Sequence, residues 1–113
     1  MTVWQKSMDL VVSCYHASSR FPDSERYGLT SQLRRSASSV PANIAEGWGR
    51  GSSKEYLRFL SIAFGSLVEL ETHIQIAARL NYLEETKASS LLEQSNEIGK
   101  MISGLKKSIQ NRL

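Results

Sequence analysis

The sequence predicts an all-α protein, an antiparallel up-down four-helix bundle with a kinked second helix. The first observation is that four segments repeat apolar residues three and four positions apart, as a helix with one buried face does. The second is that only short breaks separate these segments, and that the chain has just two prolines, Pro22 and Pro41. Residues 1–113 are long enough to bury one core, so we expect a single domain.

The first helix is predicted from about Trp4 to Ser18. Its expected buried stripe has helical spacing and consists of Trp4, Met8, Val11, Val12 and Tyr15. Phe21 and Pro22 follow this segment. The helix should stop before them, because proline disfavours helical backbone at the residue that precedes it.

The second helix carries the stripe Leu29, Leu33, Ala37, Val40, Ile44 and Trp48. Pro41 lies inside this stripe, where it removes a backbone N–H and clashes with the carbonyl of Ala37, so we expect a kink between these two residues. The alternative is two shorter helices, with Pro41 at the first position of the second one. The glycine-rich run 47–51 should end the helix, because glycine accepts a left-handed backbone.

The third helix is predicted from about Ser53 to Leu80, after a capping box formed by Ser52 and Glu55. Its expected buried stripe is Tyr56, Leu60, Ala63, Leu67, Leu70, Ile74 and Ala77. The fourth helix has a heptad seam that consists of Leu91, Ser95, Ile98, Ile102, Leu105 and Ile109. Three glycines inside these helices are expected to let helix backbones approach each other closely, namely Gly65, Gly99 and Gly104.

Basic residues are distributed unevenly along the chain. The net charge is +3, yet residues 20–58 hold seven basic and four acidic side chains, and residues 100–113 hold four basic and no acidic ones. A central basic block of this kind can contact phosphates, although a solvated surface is the simpler alternative. The candidates for phosphate contact lie on the second helix, the following turn and the third helix: Arg34, Arg35, Arg50, Lys54 and Arg58.

Other classes of function have little support in the sequence. Bundle proteins that hold two metal ions use Glu-x-x-His pairs, which neither His73 nor the isolated His16 belongs to, so we expect no metal and no cofactor. No serine or cysteine stands in a recognisable nucleophile turn, so we expect no enzymatic activity. Cys14 is the only cysteine, which excludes an internal disulfide. Because signal-peptide and membrane-spanning patterns are both missing, we expect a cytoplasmic protein with no membrane partner.

A second group of candidates consists of the polar residues nearest to the apolar stripes of the second and third helices: Asn43, Glu46, Ser66, Glu69 and Thr72. Polar groups at such depth need partners, because an unpaired buried polar group is costly. The favoured interpretation is a structural network that fixes helix register or a subunit contact. The less favoured alternative is an acid/base site that uses Glu46 and Glu69.

Four sequence segments together resemble a known family: Tyr27–Arg35, Ser39–Gly47, Tyr56–Phe59 and Ala63–Thr72. They look like the bacterial four-helix-bundle proteins that are encoded in intervening sequences of large-subunit ribosomal RNA genes. These proteins are similar to the accessory protein of diversity-generating retroelements, which binds nucleic acid and a reverse transcriptase. The resemblance implies an up-down bundle that assembles as a ring-like homopentamer and has no established enzymatic activity.

The favoured function is therefore that of a non-catalytic homo-oligomer that contacts RNA or DNA through its basic surface. The alternative is an assembly module that binds another protein, for example a reverse-transcriptase-like partner. The apolar surface supports assembly in both cases, because a slim bundle does not bury all of Trp48, Phe59, Phe64, Tyr82 and the seam of the fourth helix.

Overall fold

The computed structural model describes all 113 residues and contains four α-helices and no strand. The elements are α1 (Thr2–Ser18), a short 3-10 turn (Asp23–Glu25), α2 (Leu29–Gly49), α3 (Ser53–Arg79) and α4 (Glu85–Asn111). In the bundle α1 packs beside α2 and α4, and α3 packs beside the same two helices. The predicted all-α four-helix bundle is confirmed. None of the four helices combines the length and the hydropathy that are needed to cross a membrane.

Side-chain contacts give the antiparallel register of neighbouring helices. The hydroxyls of Ser39 on α2 and Ser66 on α3 lie 2.9 Å apart. Ser95 on α4 donates to the carboxylate of Glu71 on α3. The hydroxyl of Tyr56, the fourth residue of α3, donates to the sulfur of Met1 at 3.5 Å. The starts of α1 and α3 and the ends of α2 and α4 therefore lie at one end of a bundle that is 47 Å long, and we call it the basal end.

The predicted stripes of α2, α3 and α4 form the core with few exceptions. Leu33, Leu70 and Ile102 are each buried, and they belong to a cluster of 22 buried residues that all four helices share. Trp48 is the clear exception, because 67% of its side chain is exposed at the basal end. Periodicity found these stripes because each of the three helices has one dominant apolar face.

The stripe predicted for α1 is wrong. Trp4, Met8, Val12 and Tyr15 are exposed, and Val11 is half-buried. The helix instead buries the neighbouring face, which carries Val3, Ser7, Leu10, Cys14 and Ala17. Sequence reasoning chose the face with larger apolar side chains, whereas α1 packs through smaller ones. The buried Ser7 hydroxyl is satisfied locally, because it donates to the carbonyl of Trp4 at 2.8 Å.

Two expectations about the backbone are corrected. The structure has α2 as one continuous helix through the buried Pro41, so the alternative of two shorter helices is wrong, while the kink stays a prediction.

A Cβ added to Gly65 or Gly104 would meet nothing within 4 Å, so neither glycine serves close helix approach. Gly47 does, because a Cβ there would lie 2.7 Å from the Cβ of Phe59 on α3.

The turn between α2 and α3 has the predicted left-handed glycine and one of the two hydrogen bonds of the predicted capping box. Gly51 adopts a φ of 77°, which glycine accepts without strain. Ser52 caps α3, since its hydroxyl accepts a hydrogen bond from the backbone N–H of Glu55 at 3.1 Å. The turn therefore starts α3 at a defined residue and fixes the positions of the side chains that follow it.

Cys14 is fully buried on α1. Burial disfavours the thiolate and raises the pKa of this thiol to about 12. Since the thiolate is the reactive form, Cys14 is a packing residue in the folded protein.

Candidate nucleic-acid interface

Three of the predicted phosphate-contacting residues lie together at the basal end. The guanidinium carbon of Arg50 lies 5.0 Å from the centroid of the Phe59 ring, and that of Arg58 lies 5.1 Å from the same centroid. Lys54 lies one helical turn before Arg58 on α3 and is exposed. Phe59 is only 9% exposed, so the two arginines cover its ring and are held near each other by the cation–π attraction.

Ion pairing leaves part of this positive charge available. Nε of Arg50 donates to Glu46 at 2.9 Å, and Arg58 lies 3.8 Å from Glu55. Both pairs are largely exposed, so each contributes little to stability and is weakened by salt. Lys54 makes no ion pair. Three cations against two carboxylates leave a net positive charge beside the start of α3.

Tyr56 belongs to the same end of the bundle and helps to hold it together. Its ring packs against the core, and a Cβ on Gly47 would lie 3.2 Å from it. Burial raises the pKa of Tyr56, so its hydroxyl stays neutral and is available for the hydrogen bond to Met1. The basal end therefore combines exposed cations with aromatic side chains that are packed against the bundle.

Arg34 and Arg35 do not join this group, so the five candidates do not form one surface. Arg34 is half-buried and ties α2 to α1: its Nε donates to the hydroxyl of Ser18 at 2.8 Å, and its guanidinium lies 4.5 Å from the ring centroid of Tyr15. Arg35 is exposed on a different side of α2, because consecutive helical residues do not face each other. Sixteen residues separate Arg34 from Arg50, which is about 24 Å along a helix.

The predicted polar network is smaller than expected. The amide of Asn43 donates to the carbonyl and to the hydroxyl of Ser39, at 2.8 and 2.9 Å, and Ser39 contacts Ser66. Asn43 and Ser66 are therefore joined across α2 and α3 through Ser39, a residue that sequence reasoning left out. Ser39 was missed because periodicity placed it beside the apolar stripe without indicating which side faces α3.

The other three predicted members lie outside this network. Glu46 is exposed and pairs with Arg50, Glu69 is exposed, and the exposed Thr72 donates to the carbonyl of Val68 at 3.1 Å. The α3 carboxylate with a buried partner is Glu71, which accepts from the fully buried Ser95. Glu71 faces α4 rather than α2, so the spacing of polar residues on the α2 side of α3 does not indicate it.

The structure does not bring Glu46 and Glu69 close enough together for an acid/base site. The pairing of Ser39 with Ser66 puts Glu69 level with Ser36 on the antiparallel α2. Glu46 lies ten residues further along α2 than Ser36, which is about 15 Å. Two exposed carboxylates at this separation share no substrate-sized site. No group of three His, Cys, Asp or Glu side chains that could hold a metal ion occurs in the structure.

The fold and the site define the class: a four-helix bundle with one cationic end and an exposed apolar face. The family described as 23S rRNA-intervening sequence protein matches residues 1–104, and the chain belongs to this family. A similar solved structure is that of a protein with unknown function from the S23 ribosomal protein family of Bacteroides thetaiotaomicron. Its sequence is 25% identical, the TM-score is 0.83, and the match covers 93% of this chain and 98% of that one. No curated protein matches this sequence.

Proposed function

We propose that this chain is a non-catalytic, cytoplasmic subunit of a homo-oligomer that contacts the phosphodiester backbone of RNA or DNA. The observation that carries the proposal is the group of Arg50, Lys54 and Arg58 around the ring of Phe59 at the basal end. Arginine and lysine bind phosphate oxygens strongly, and contacts of this type position a nucleic acid without reading its sequence.

The surroundings of these cations favour backbone contact over base recognition. Phe59 is buried beneath the arginines, so its ring is not available for stacking on a base. The half-buried Tyr56 is the only ring between the three cations in the sequence. The exposed Trp48 precedes them at the end of α2, and stacking of a base on such a ring tolerates any sequence. Binding should therefore depend strongly on salt and weakly on sequence.

Salt-dependent binding is the first test. We expect fluorescence anisotropy with labelled RNA and DNA oligonucleotides to show binding at low salt that weakens log-linearly as salt is added. Replacing Arg50, Lys54 and Arg58 with glutamine should reduce the slope of log K against log salt by up to about three, because about one released counterion is lost per phosphate contact.

The matched control removes the same charge from the opposite end of the bundle, through glutamine at Arg26, Arg79 and Lys87. This control should keep nearly the whole slope. The proposal is wrong if the native protein does not bind either nucleic acid at low salt, or if the two triple variants lose affinity equally.

Assembly is supported by apolar surface on two opposite sides of the bundle. On α1 the exposed stripe includes Met8 and Val12, and it lies on the flank of α1 that faces α2, since Arg34 of α2 covers the ring of Tyr15. Across the bundle, the groove between α3 and α4 exposes Phe64 and Val68. A contact that joins two different faces is head-to-tail, and such contacts close into rings when the rotation permits.

We infer that the α1 stripe of one copy packs into the α3–α4 groove of the next copy. The groove has an apolar floor next to Gly99, and a stripe of large apolar side chains that is exposed on a monomer is typical of a subunit interface. The resemblance to the family suggests a ring of five copies, whereas the two faces themselves fix neither closure nor the number of copies.

Light scattering after size exclusion tests the assembly. We expect a mass several times the 12.7 kDa of one chain at micromolar concentration. The double variant Met8→Glu, Val12→Glu should be a folded monomer, because it places charges in the middle of the stripe, while Gln5→Glu, Lys6→Gln should leave the mass unchanged. A monomeric native protein would contradict this proposal.

A protein partner is the second candidate, because the same exposed apolar faces suit a helix of another protein. The reverse-transcriptase-like partner suggested by the family resemblance is of this kind. Retention of one protein at high salt in a pull-down, together with failure to bind nucleic acid at low salt, would favour this candidate over the first. It also predicts that charge removal at Arg50, Lys54 and Arg58 leaves the retention unchanged.

A further inference from the structure

The end of α4 carries a second group of cations that the candidate interface does not include. Lys106, Lys107 and Arg112 lie in the last turns of α4 or directly after it, and none of them forms an ion pair. Lys107 and Arg112 are exposed, and Lys106 is half-buried. The last acidic side chain of the chain is that of Glu97, so no side-chain carboxylate in this segment offsets their charge.

The register of α3 and α4 places these cations at the basal end. Ser95 contacts Glu71, and a Cβ on Gly99 would lie 3.4 Å from the side chain of Leu67. Four residues forward on α4 thus correspond to four residues back on α3. Continuing this antiparallel register sets Lys107 level with Phe59, and Arg112 level with Lys54.

The two ends of the bundle consequently differ in charge. The basal end gathers six cations, which are Arg50, Lys54, Arg58, Lys106, Lys107 and Arg112, and the carboxylates beside them are Glu46 and Glu55. At the opposite end the charges balance, because four cations are offset by four carboxylates: Arg20, Arg26, Arg79 and Lys87 against Asp23, Glu25, Glu84 and Glu85. A positive charge that is concentrated at one end attracts a polyanion to that end rather than to the whole surface of the molecule.

We propose that Lys106, Lys107 and Arg112 extend the phosphate-contacting surface from the α2–α3 turn onto the end of α4. The inference rests on the proposed function, and it gives the bound nucleic acid a different course across the protein. The phosphodiester backbone of the nucleic acid crosses the basal end over α3 and α4, and it does not run along α2 towards Arg34 and Arg35. In a closed ring, the basal ends of all copies lie on one side, so the polyanion meets a repeated cationic surface.

A purely structural role is the competing explanation for these residues. Cations near a helix C-terminus interact favourably with the negative end of the helix dipole, by about 0.3–1 kcal/mol. A dipole role affects stability and leaves nucleic-acid affinity unchanged. A phosphate-contacting role affects affinity and its salt dependence, and it is retained by arginine, which carries the same charge.

The test compares two double variants of the full chain, Lys106→Gln, Lys107→Gln and the matched control Arg79→Gln, Lys87→Gln. Anisotropy is measured with the same sequence as duplex RNA, duplex DNA and single-stranded RNA, over a series of salt concentrations. The arm with the tightest binding identifies the nucleic acid. In that arm we expect the α4 variant to bind about tenfold or more weakly at 0.1 M salt, with a salt slope lower by about two.

Further measurements separate the possible failures. The variant Lys106→Arg, Lys107→Arg should restore binding, and thermal unfolding should show that all variants are folded. If native protein binds and the α2–α3 turn variant weakens binding, while the α4 variant matches its control, this inference is overturned and the proposed function stands. If the native protein binds none of the three probes, the proposed function itself is overturned.

Discussion

Replacing Phe59 with alanine should lower the free energy of unfolding by about 3–5 kcal/mol, the usual cost of removing a large buried aromatic side chain. Phe59 is 9% exposed, and its Cβ lies where α2 approaches α3 closely, beside Gly47. The alanine variant loses the buried area of the ring and leaves a cavity at the base of the site. It also removes the surface on which Arg50 and Arg58 lie.

Equilibrium unfolding in urea measures this cost, at one fixed protein concentration because assembly contributes to the stability of the native protein. Ile62→Ala is the control, since it shortens an apolar side chain on the same helix that is 40% exposed and does not line the α3–α4 groove. We expect the control to lose less than half as much. Equal losses in the free energy of unfolding for the two variants would mean that Phe59 does not support the packing of the cationic end.

A milder variant separates stability from binding. Phe59→Leu keeps an apolar side chain under the arginines but removes the aromatic face, so it should cost less stability than alanine. Nucleic-acid affinity of the folded leucine variant then reports whether the ring positions Arg50 and Arg58. If the arginines contact phosphate, affinity should fall while the salt slope, which counts charges, changes little.

The fold could be predicted because three helices have a single strong apolar face. For α2, α3 and α4 the spacing of Leu33, Leu70 and Ile102 is enough to choose the buried side, and all three are in the core. The same reasoning failed for α1, which has two apolar faces. Which one is buried depends on how closely α1 packs against its neighbours, and a local pattern contains no information on that distance.

The site was predicted in part for a related reason. Arg50, Lys54 and Arg58 are near in sequence and flank one turn, so their grouping follows from local structure. Arg34 does not join them, because it lies sixteen residues before Arg50 along one continuous helix, about 24 Å away. Its contact with Ser18 of α1 is not local in sequence. The cations of α4 were visible as a basic run, but their approach to the turn depends on the register of α3 against α4, which only the folded bundle gives.

Replacing Gly47 with alanine should destabilise the protein by about 1–3 kcal/mol, the range for side chains forced into a packed interior. The added methyl would lie 2.7 Å from the Cβ of Phe59 and 3.3 Å from the carbonyl oxygen of Tyr56. A Cβ and a backbone oxygen cannot move aside as the tip of a flexible side chain can. Helices α2 and α3 must therefore separate locally, although alanine is the better helix former.

Gly65→Ala is the matched control and should have the opposite sign. Gly65 lies inside α3, and a Cβ there would meet nothing within 4 Å, so only the gain in helix propensity remains. We expect a stabilisation of about 0.5–1 kcal/mol. Thermal and urea unfolding under the same conditions show whether each variant is more or less stable than the native protein. Stabilisation by alanine at position 47 would mean that α2 and α3 do not approach closely there, and that the cations of the basal end are held less rigidly than the Gly47–Phe59 contact implies.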